Sequence, residues 1–374
     1  MICGTHPDLA YGSTNSRYVS LEREIYEYSH WGAVLFIALV GITGNVLLFI
    51  MMGDNRMNYL SYSVYLKFLA VSDSLLLALT LLQDTEKTFS LQRLILLNSG
   101  LCKLMFSLRI LLTNLSPWLV VGLSLDRYVC ICFPLTRERL CTRMKAIIVC
   151  STVLGLLVVL IVPFLVDTEL IQRRCKPSEE LRYYYICIRT IISSTLPCLL
   201  ILVLNVLILF QIQQSRNFRK RFTRSGTDSA SPQQDRSTRP LVLVSVLAFV
   251  TLLPLSVSEA VETLLKIVGT DSNSVALNNK LRSFFILIYI LNFGQNFYIL
   301  IGTSTKYRAI IRARFDWLKW NRRNEQNQAM TTIMSPDVNC PGSGTTELSL
   351  VSITSGNNTS AVDANAPGIS SRTL

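Results

Sequence analysis

Four polar or reactive side chains lie at regular intervals along the apolar stretch between Cys102 and Pro134. They are separated by seven, seven and eleven positions, and they are Cys102, Arg109, Ser116 and Arg127. At roughly 100° per residue these steps are nearly whole turns, so a helix would place all four along one stripe. A thiol can form a cross-link, and a guanidinium binds carboxylates or phosphates through paired hydrogen bonds.

That stripe constrains its surroundings. At about 1.5 Å per residue, a helix from Cys102 to Arg127 would be about 37 Å long, slightly more than the roughly 30 Å hydrocarbon core of a bilayer. Most of the residues between them are Leu, Ile, Val, Phe and Met. Because lipid does not tolerate a continuous polar line, we expect the stripe to face protein or water inside a membrane.

The composition also favours a membrane protein. The chain has 374 residues, is 50% hydrophobic and has a mean hydropathy of +0.39. A soluble core would explain one or two long apolar runs but not the number found here. The apolar windows are Trp31–Met52, Ser61–Leu82, Cys102–Cys132, Lys145–Val166, Tyr184–Ile212, Leu241–Ile267 and Leu281–Ile301. Together they predict an all-α membrane protein, a bundle of seven transmembrane helices.

The formal net charge of +12 could indicate a nucleic-acid partner. Most of that charge lies in connectors on one side of the apolar runs, so membrane topology is the simpler cause. By the positive-inside rule the amino terminus is extracellular and the carboxy terminus cytosolic, which predicts a multi-pass protein of the plasma membrane without a nucleic-acid partner. The start of the chain lacks the apolar core of a cleavable signal peptide.

Four segments follow from this topology. We predict an extracellular tail at 1–30, the bundle at 31–302, an amphipathic membrane-surface helix at 303–320, and a disordered cytosolic tail at 321–374. The hydroxyl-rich tail offers sites for receptor kinases and then arrestin, although an unmodified solvated tail explains its composition equally well.

The ten cysteines divide by compartment. Cys102 opens the third span on the outer side, and Cys175 lies in the loop between the fourth and fifth spans. A disulfide between them would tie this loop across the mouth of the bundle. Six further cysteines lie in or near spans, where a small apolar thiol is the simpler interpretation: Cys130, Cys132, Cys141, Cys150, Cys187 and Cys198.

An ordered set of short motifs, distributed along the predicted spans and one loop, carries a family resemblance. The set comprises Gly44-Asn45, Leu69-Ala70-Val71-Ser72-Asp73, Cys102, Asp126-Arg127-Tyr128, Cys175, Pro197, Pro254, Asn292 and Asn296-Phe297. One such tripeptide would recur by chance, but the ordered set is specific. From about Trp31 to Phe315 the chain resembles a rhodopsin-like (class A) G-protein-coupled receptor.

The chain departs from this family in residues of its activation relay. It has Thr251-Leu252-Leu253-Pro254 where the family usually has Cys-Trp-X-Pro, and Asn205 where a tyrosine is common. It also has Asn296-Phe297-Tyr298-Ile299-Leu300 in place of Asn-Pro-X-X-Tyr. The Asn-Phe variant is similar to FMRFamide-type and related invertebrate neuropeptide receptors.

The resemblance implies two sites away from the ligand. Coupling to a heterotrimeric G protein would use Asp126, Arg127 and Tyr128, while the local ion pair of Arg127 with Asp126 is the structural alternative. The residues matching the family's sodium site are Asp73, Ser116, Asn292 and Asn296. Their oxygen atoms suit a hard cation, and a water-filled hydrogen-bond network is the alternative. No other cofactor is expected.

The ligand end is less usual. Arg109 lies where the family's amine receptors have an aspartate, which disfavours a monoamine, and Ile290 replaces the retinal lysine of opsins. The predicted ligand-binding residues are Arg109, Arg189, Glu259, Glu262, Arg282, Gln83 and Asp84. A short peptide could place basic side chains on the glutamates and a terminal carbonyl or carboxylate on an arginine. Alternatively, these charges pair with each other or reach the outer headgroups.

Other function classes lack their sequence signals. The sequence has neither the internal repeats of a transporter nor the filter segment of a channel. It also has no nucleotide-binding loop and no catalytic pairing, so an enzyme is not expected. The remaining alternative is a receptor that signals without ligand or acts as a partner in receptor heteromers.

Overall fold

The computed structural model describes residues 8–89, 99–133, 135–171, 174–222, 232–268 and 272–334. The helices are α1 (Asp8–Met52), α2 (Ser61–Thr88), α3 (Ser99–Cys132), α4 (Arg137–Leu140), α5 (Arg143–Asp167), α6 (Arg182–Cys187), α7 (Leu196–Phe222), α8 (Pro232–Val268), α9 (Ser272–Asn292), α10 (Asn296–Thr303) and α11 (Thr305–Met334). A π-helical segment, Ile188–Thr195, joins α6 to α7. Two short antiparallel strands, β1 (Thr168–Ile171) and β2 (Arg174–Pro177), form a hairpin after α5.

Within these ranges, six helical stretches are long and apolar enough to cross a membrane. They are Glu24–Met52, Ser61–Thr88, Ser99–Cys132, Arg143–Asp167, Arg182–Ser215 and Arg239–Leu265. A seventh span is formed by Leu281–Asn292 and Asn296–Thr303, which meet at an angle of 58°. The predicted seven-transmembrane architecture is therefore confirmed, and the β1–β2 hairpin is an addition to it.

Helix α3 lies at the centre of the bundle and contacts α2, α5, α7 and α8. Three residues of the predicted polar stripe are buried in these contacts: Cys102, Ser116 and Arg127. Arg109 is exposed instead, and it faces a cavity. The stripe thus faces protein at three levels and an open space at the fourth, as its polarity requires.

The bend in the seventh span occurs at Gly294, without a proline. A Cβ atom at Gly294 would lie 2.7 Å from the Cα of Gly41, so the bend depends on close backbone contact with α1. The side chain of Asn45 donates a hydrogen bond of 2.8 Å to the carbonyl of Phe293. That hydrogen bond gives a partner to a backbone carbonyl at the break in the helix. Irregular backbone at membrane depth is tolerated only when such groups are hydrogen-bonded within the protein.

After the seventh span, α11 buries Tyr307, Ile310 and Ile311, which lie at helical spacing within the predicted amphipathic helix. The helix extends to Met334, beyond the predicted end at residue 320. One compact unit of the chain ends at Leu318, and a second begins at Lys319. The rest of the predicted tail, 335–374, lies outside the described residues.

Candidate functional site

A cavity of about 580 Å³ opens between α2, α3, the fifth and sixth spans, and α9. Five of the predicted ligand-binding residues line it: Gln83, Arg109, Arg189, Glu259 and Arg282. Asp84 is not part of the lining, and its carboxylate lies 3.9 Å from the Nδ1 atom of His30. Glu262 also lies outside the lining and forms an ion pair with Arg282.

Four of the charged side chains form a closed ring. The Nε atom of Arg189 donates to Oε1 of Glu259 at 2.9 Å, and the Nη1 atom of Arg282 donates to Oε2 of Glu262 at 2.6 Å. Two longer contacts close the ring: Arg189 to Glu262 at 3.8 Å and Arg282 to Glu259 at 4.0 Å. The ring joins the fifth, sixth and seventh spans, and its net charge is zero.

The ring therefore realises the alternative in which these charges pair with each other. Glu259 and Glu262 are one helical turn apart on α8, so both reach the same two arginines. Partly buried ion pairs of this kind remain stable only when each charge keeps its partner. A basic ligand group would have to displace an arginine already bound to the glutamates.

Arg109 differs from the other two arginines of the cavity. Its side chain is exposed to the cavity, and it makes no ion pair with any residue that the structure describes. A guanidinium presents five donors in a planar fork, which suits a carboxylate or an amide oxygen. Arg109 is thus available to bind a hydrogen-bond acceptor on a ligand.

Some lining residues were not predicted from the sequence. Glu86, on the same face of α2 as Gln83, is only 8% exposed, and its Oε1 atom has no partner among the described residues. Deeper in the cavity, the hydroxyl of Ser193 donates to the side-chain oxygen of Asn114 at 2.7 Å. The three-residue spacing from Gln83 was the signal that could have identified Glu86.

The β1–β2 hairpin is attached to the mouth of the cavity. Cys102 and Cys175 form a disulfide with their Cα atoms 5.9 Å apart, so the predicted pair is confirmed. Cys175 also belongs to the cavity lining. In the hairpin, Cys175 is paired with Leu170, and the disulfide therefore fixes both strands to the start of α3.

Below the cavity, the four residues of the predicted sodium site are all buried. Asn296 donates to Oδ2 of Asp73 at 3.2 Å, while the side-chain oxygen of Asn292 accepts from Thr251 and Gln295 at 3.2 and 3.1 Å. In the described part of the chain, Oδ1 of Asp73 and the hydroxyl oxygen of Ser116 have no hydrogen-bond partner. Two unsatisfied buried oxygens suit a hard cation, and the residues present fit sodium.

At the end of α3 opposite Cys102, Arg127 is paired with its neighbour. Its guanidinium forms a salt bridge with Oδ2 of Asp126, an atom that also accepts from Ser61 at 3.0 Å. The guanidinium carbon lies 4.7 Å from the ring centre of Tyr62, a cation–π contact. The ring of Tyr128 makes an edge contact with Phe133. The local ion pair, one of the two alternatives for Arg127, is therefore present.

Different contacts occupy the positions where the usual relay residues are missing. Asn205 accepts a hydrogen bond of 2.6 Å from Ser245, which links the fifth and sixth spans. Tyr298, next to the altered Asn-Phe pair, donates to the carbonyl of Val40 at 2.9 Å. Polar contacts between spans are thus retained by other side chains.

Comparisons with known proteins agree with this architecture. The model of the 7 transmembrane receptor (rhodopsin family) matches residues 44–296. The chain is 22% identical over 310 residues to the Probable G-protein coupled receptor B0563.6 of Caenorhabditis elegans, covering 77% of this chain and 69% of that protein. It is 27% identical over 295 residues to the FMRFamide peptide receptor frpr-18 of the same organism, covering 74% and 66%.

A shorter similarity is found in a mammal. The chain is 33% identical over 144 residues to G-protein coupled receptor 15 of Mus musculus, covering 38% of this chain and 39% of that protein. The family match extends over more than half of the chain, from within the first span into the seventh. The chain therefore belongs to the rhodopsin family of seven-transmembrane receptors.

Proposed function

We propose that this receptor binds a short extracellular peptide in the cavity and activates heterotrimeric G proteins from the plasma membrane, with its amino terminus outside. The observation that carries the proposal is Arg109, a cation exposed to the cavity without an acidic partner among the described residues. The similarity to an FMRFamide peptide receptor supports the same ligand class.

The charge of the cavity favours a peptide over a small apolar ligand. Its volume of about 580 Å³ lies within the usual range for ligand pockets, roughly 300–1,000 Å³. Its lining includes Glu86 and Lys87 as well as the ring arginines. A monoamine would be repelled by Arg109, whereas a peptide carries carbonyl or carboxylate oxygens that this arginine can bind.

The neutral ring changes how the ligand would be recognised. Because Glu259 and Glu262 already hold arginines of the receptor, Arg109 is the primary contact for a terminal carbonyl or an acidic group of the peptide. A basic group of the peptide could instead bind Glu86, whose Oε1 atom has no hydrogen-bond partner among the described residues. A ligand would therefore contact α2 and α3 as much as the sixth span.

On the cytosolic side, the proposed signalling step is release of Arg127 from Asp126 toward the G protein. A sodium ion held by Asp73 and Ser116 would favour the inactive state, and agonist binding would expel it. Receptor kinases and arrestin are proposed to act on the hydroxyl-rich tail. Each of these partners is carried over from the family.

Screening a panel of amidated peptides against cells that express the receptor tests the proposal. We expect at least one peptide to raise G-protein signalling above the basal level, with no response in cells lacking the receptor. A basal signal that scales with surface expression, with no response to any peptide of the panel, would favour the ligand-independent alternative.

A further inference from the structure

Two cysteines and an aspartate converge where α3 meets the loop that follows it. One carboxylate oxygen of Asp126 and the sulfur atoms of Cys130 and Cys141 all lie within 4.8 Å of one another. The thiol of Cys141 also donates to the backbone carbonyl of Asp126, with a sulfur–oxygen distance of 3.7 Å. Cys130 is buried and Cys141 is partly exposed, so the group can be reached from the cytosolic side.

We propose that these three residues form a zinc site at the cytosolic end of α3. Soft thiolates select zinc over magnesium or calcium, and a carboxylate is a common further ligand. A disulfide between Cys130 and Cys141 is disfavoured, because the cytosol keeps thiols reduced.

The geometry requires only a small adjustment. With Zn–S distances of about 2.3 Å, tetrahedral coordination holds two sulfur atoms about 3.8 Å apart. The present upper limit of 4.8 Å is therefore about 1 Å too wide, a gap that side-chain rotation can close. A water molecule would complete the tetrahedral site, as in zinc centres with three protein ligands.

The site has a consequence for Arg127. Oδ2 of Asp126 is shared by Arg127 and Ser61, and zinc would compete with both for this carboxylate. Binding of a divalent cation would also repel the neighbouring guanidinium. Zinc should therefore weaken the ion pair of Asp126 with Arg127. On the proposed function, which this step assumes, basal nucleotide exchange on the G protein should rise.

The direct test is zinc binding to the purified receptor in lipid nanodiscs, measured by competition with a chromophoric chelator. We expect one tight zinc ion per receptor, and an affinity at least about tenfold weaker in Cys130→Ala and in Cys141→Ser. Cys132→Ala is the matched control, since this thiol lies on the same helix outside the group, and it should bind zinc as the parent does. Equal affinity in the parent and both ligand variants would overturn the site.

A second measurement does not depend on the folding of variants. Cadmium bound to the parent receptor should show the ultraviolet absorption of two thiolate ligands, and the absorption of one or none would overturn the assignment. Basal nucleotide exchange with buffered free zinc then tests the effect on Arg127 alone. If zinc binds but exchange stays constant, the competition for Asp126 is wrong. A receptor that responds to no peptide can still bind zinc, so the zinc-site proposal and the peptide-ligand proposal can be contradicted independently.

Discussion

The Nε atom of Arg189 lies 2.9 Å from Oε1 of Glu259, and this contact joins the π-helical segment of the fifth span to the sixth span. Oε1 of Glu259 is also 4.0 Å from Arg282 in the seventh span. Any movement of these three spans relative to one another must stretch or exchange the contacts of one carboxylate. The ring is thus a structural element of the receptor as well as part of its cavity.

Removing one member of the ring should destabilise the receptor. Glu259→Ala leaves Arg189 without its nearest partner, and loss of one partner of a buried hydrogen-bonded pair costs on the order of 2–5 kcal/mol. We expect a lower Tm for the purified variant. The double variant Arg189→Ala/Glu259→Ala should recover part of this loss, and strictly additive effects would contradict direct coupling.

An exposed ion pair offers the comparison. Arg182 and Glu179 form a salt bridge of 3.1 Å in which both side chains are largely exposed. Pairs of this kind contribute little, because water and salt screen them. Arg182→Ala should leave the Tm unchanged within error.

The outer disulfide should determine how well the receptor reaches the cell surface. Cys102→Ala would release the hairpin from the start of α3 and leave Cys175 as a free thiol at the mouth of the cavity. We expect reduced surface expression, measured by flow cytometry with an amino-terminal tag. The exposed thiol of Cys187 is not in this bond, and Cys187→Ala should be expressed like the parent. Equal expression of all three proteins would show that the hairpin needs no cross-link.

The buried carboxylate of Asp73 should make agonist binding sensitive to sodium. If sodium bridges Asp73 and Ser116, raising its concentration should weaken agonist affinity, because the ion favours the inactive state. Asp73→Asn should abolish this dependence. Potassium at the same ionic strength is the control. An affinity that responds equally to both salts would leave a hydrogen-bond network without an ion.

The pair of Asp126 with Arg127 should restrain basal signalling. Asp126→Asn removes the charge that holds the guanidinium, and we expect higher basal nucleotide exchange on a purified G protein. Ser61→Ala removes one hydrogen bond to the same carboxylate and should have a smaller effect in the same direction. A fall in basal exchange for Asp126→Asn, at equal receptor amounts, would contradict a restraining role.

The spans could be predicted from the sequence because the thickness of the bilayer requires about twenty predominantly apolar residues in each spanning helix. Such a run is visible in the sequence without knowledge of tertiary contacts. Sequence reasoning also identified the disulfide partners, since Cys102 opens the third span on its predicted outer side and Cys175 lies in the loop between the fourth and fifth spans. The choice between ligand-facing and mutually paired charges remained open. Periodicity places Glu259 and Glu262 on one face of α8, but it does not say which arginines of other spans that face will meet.

Two further features depended on tertiary contacts. The bend at Gly294 arises from backbone contact with Gly41, more than two hundred positions away in sequence, and no local proline signals it. Glu86 was missed although it lies one helical turn after Gln83, because the rotation of α2 about its axis determines whether their shared face meets the cavity or the lipid. Local patterns define each helix, whereas the rotation of one helix against another is set by packing.

The central claim is that Arg109 binds an acceptor group of a peptide ligand. It is tested most directly by the concentration response of an activating peptide on three receptors at equal surface expression: the parent, Arg109→Ala and the surface control Arg182→Ala. Loss of a charge-assisted contact worth on the order of 2–5 kcal/mol should weaken the peptide from about 30-fold to several thousand-fold in Arg109→Ala. Arg109→Lys should recover part of the response. Identical responses of Arg109→Ala and the parent would contradict the account.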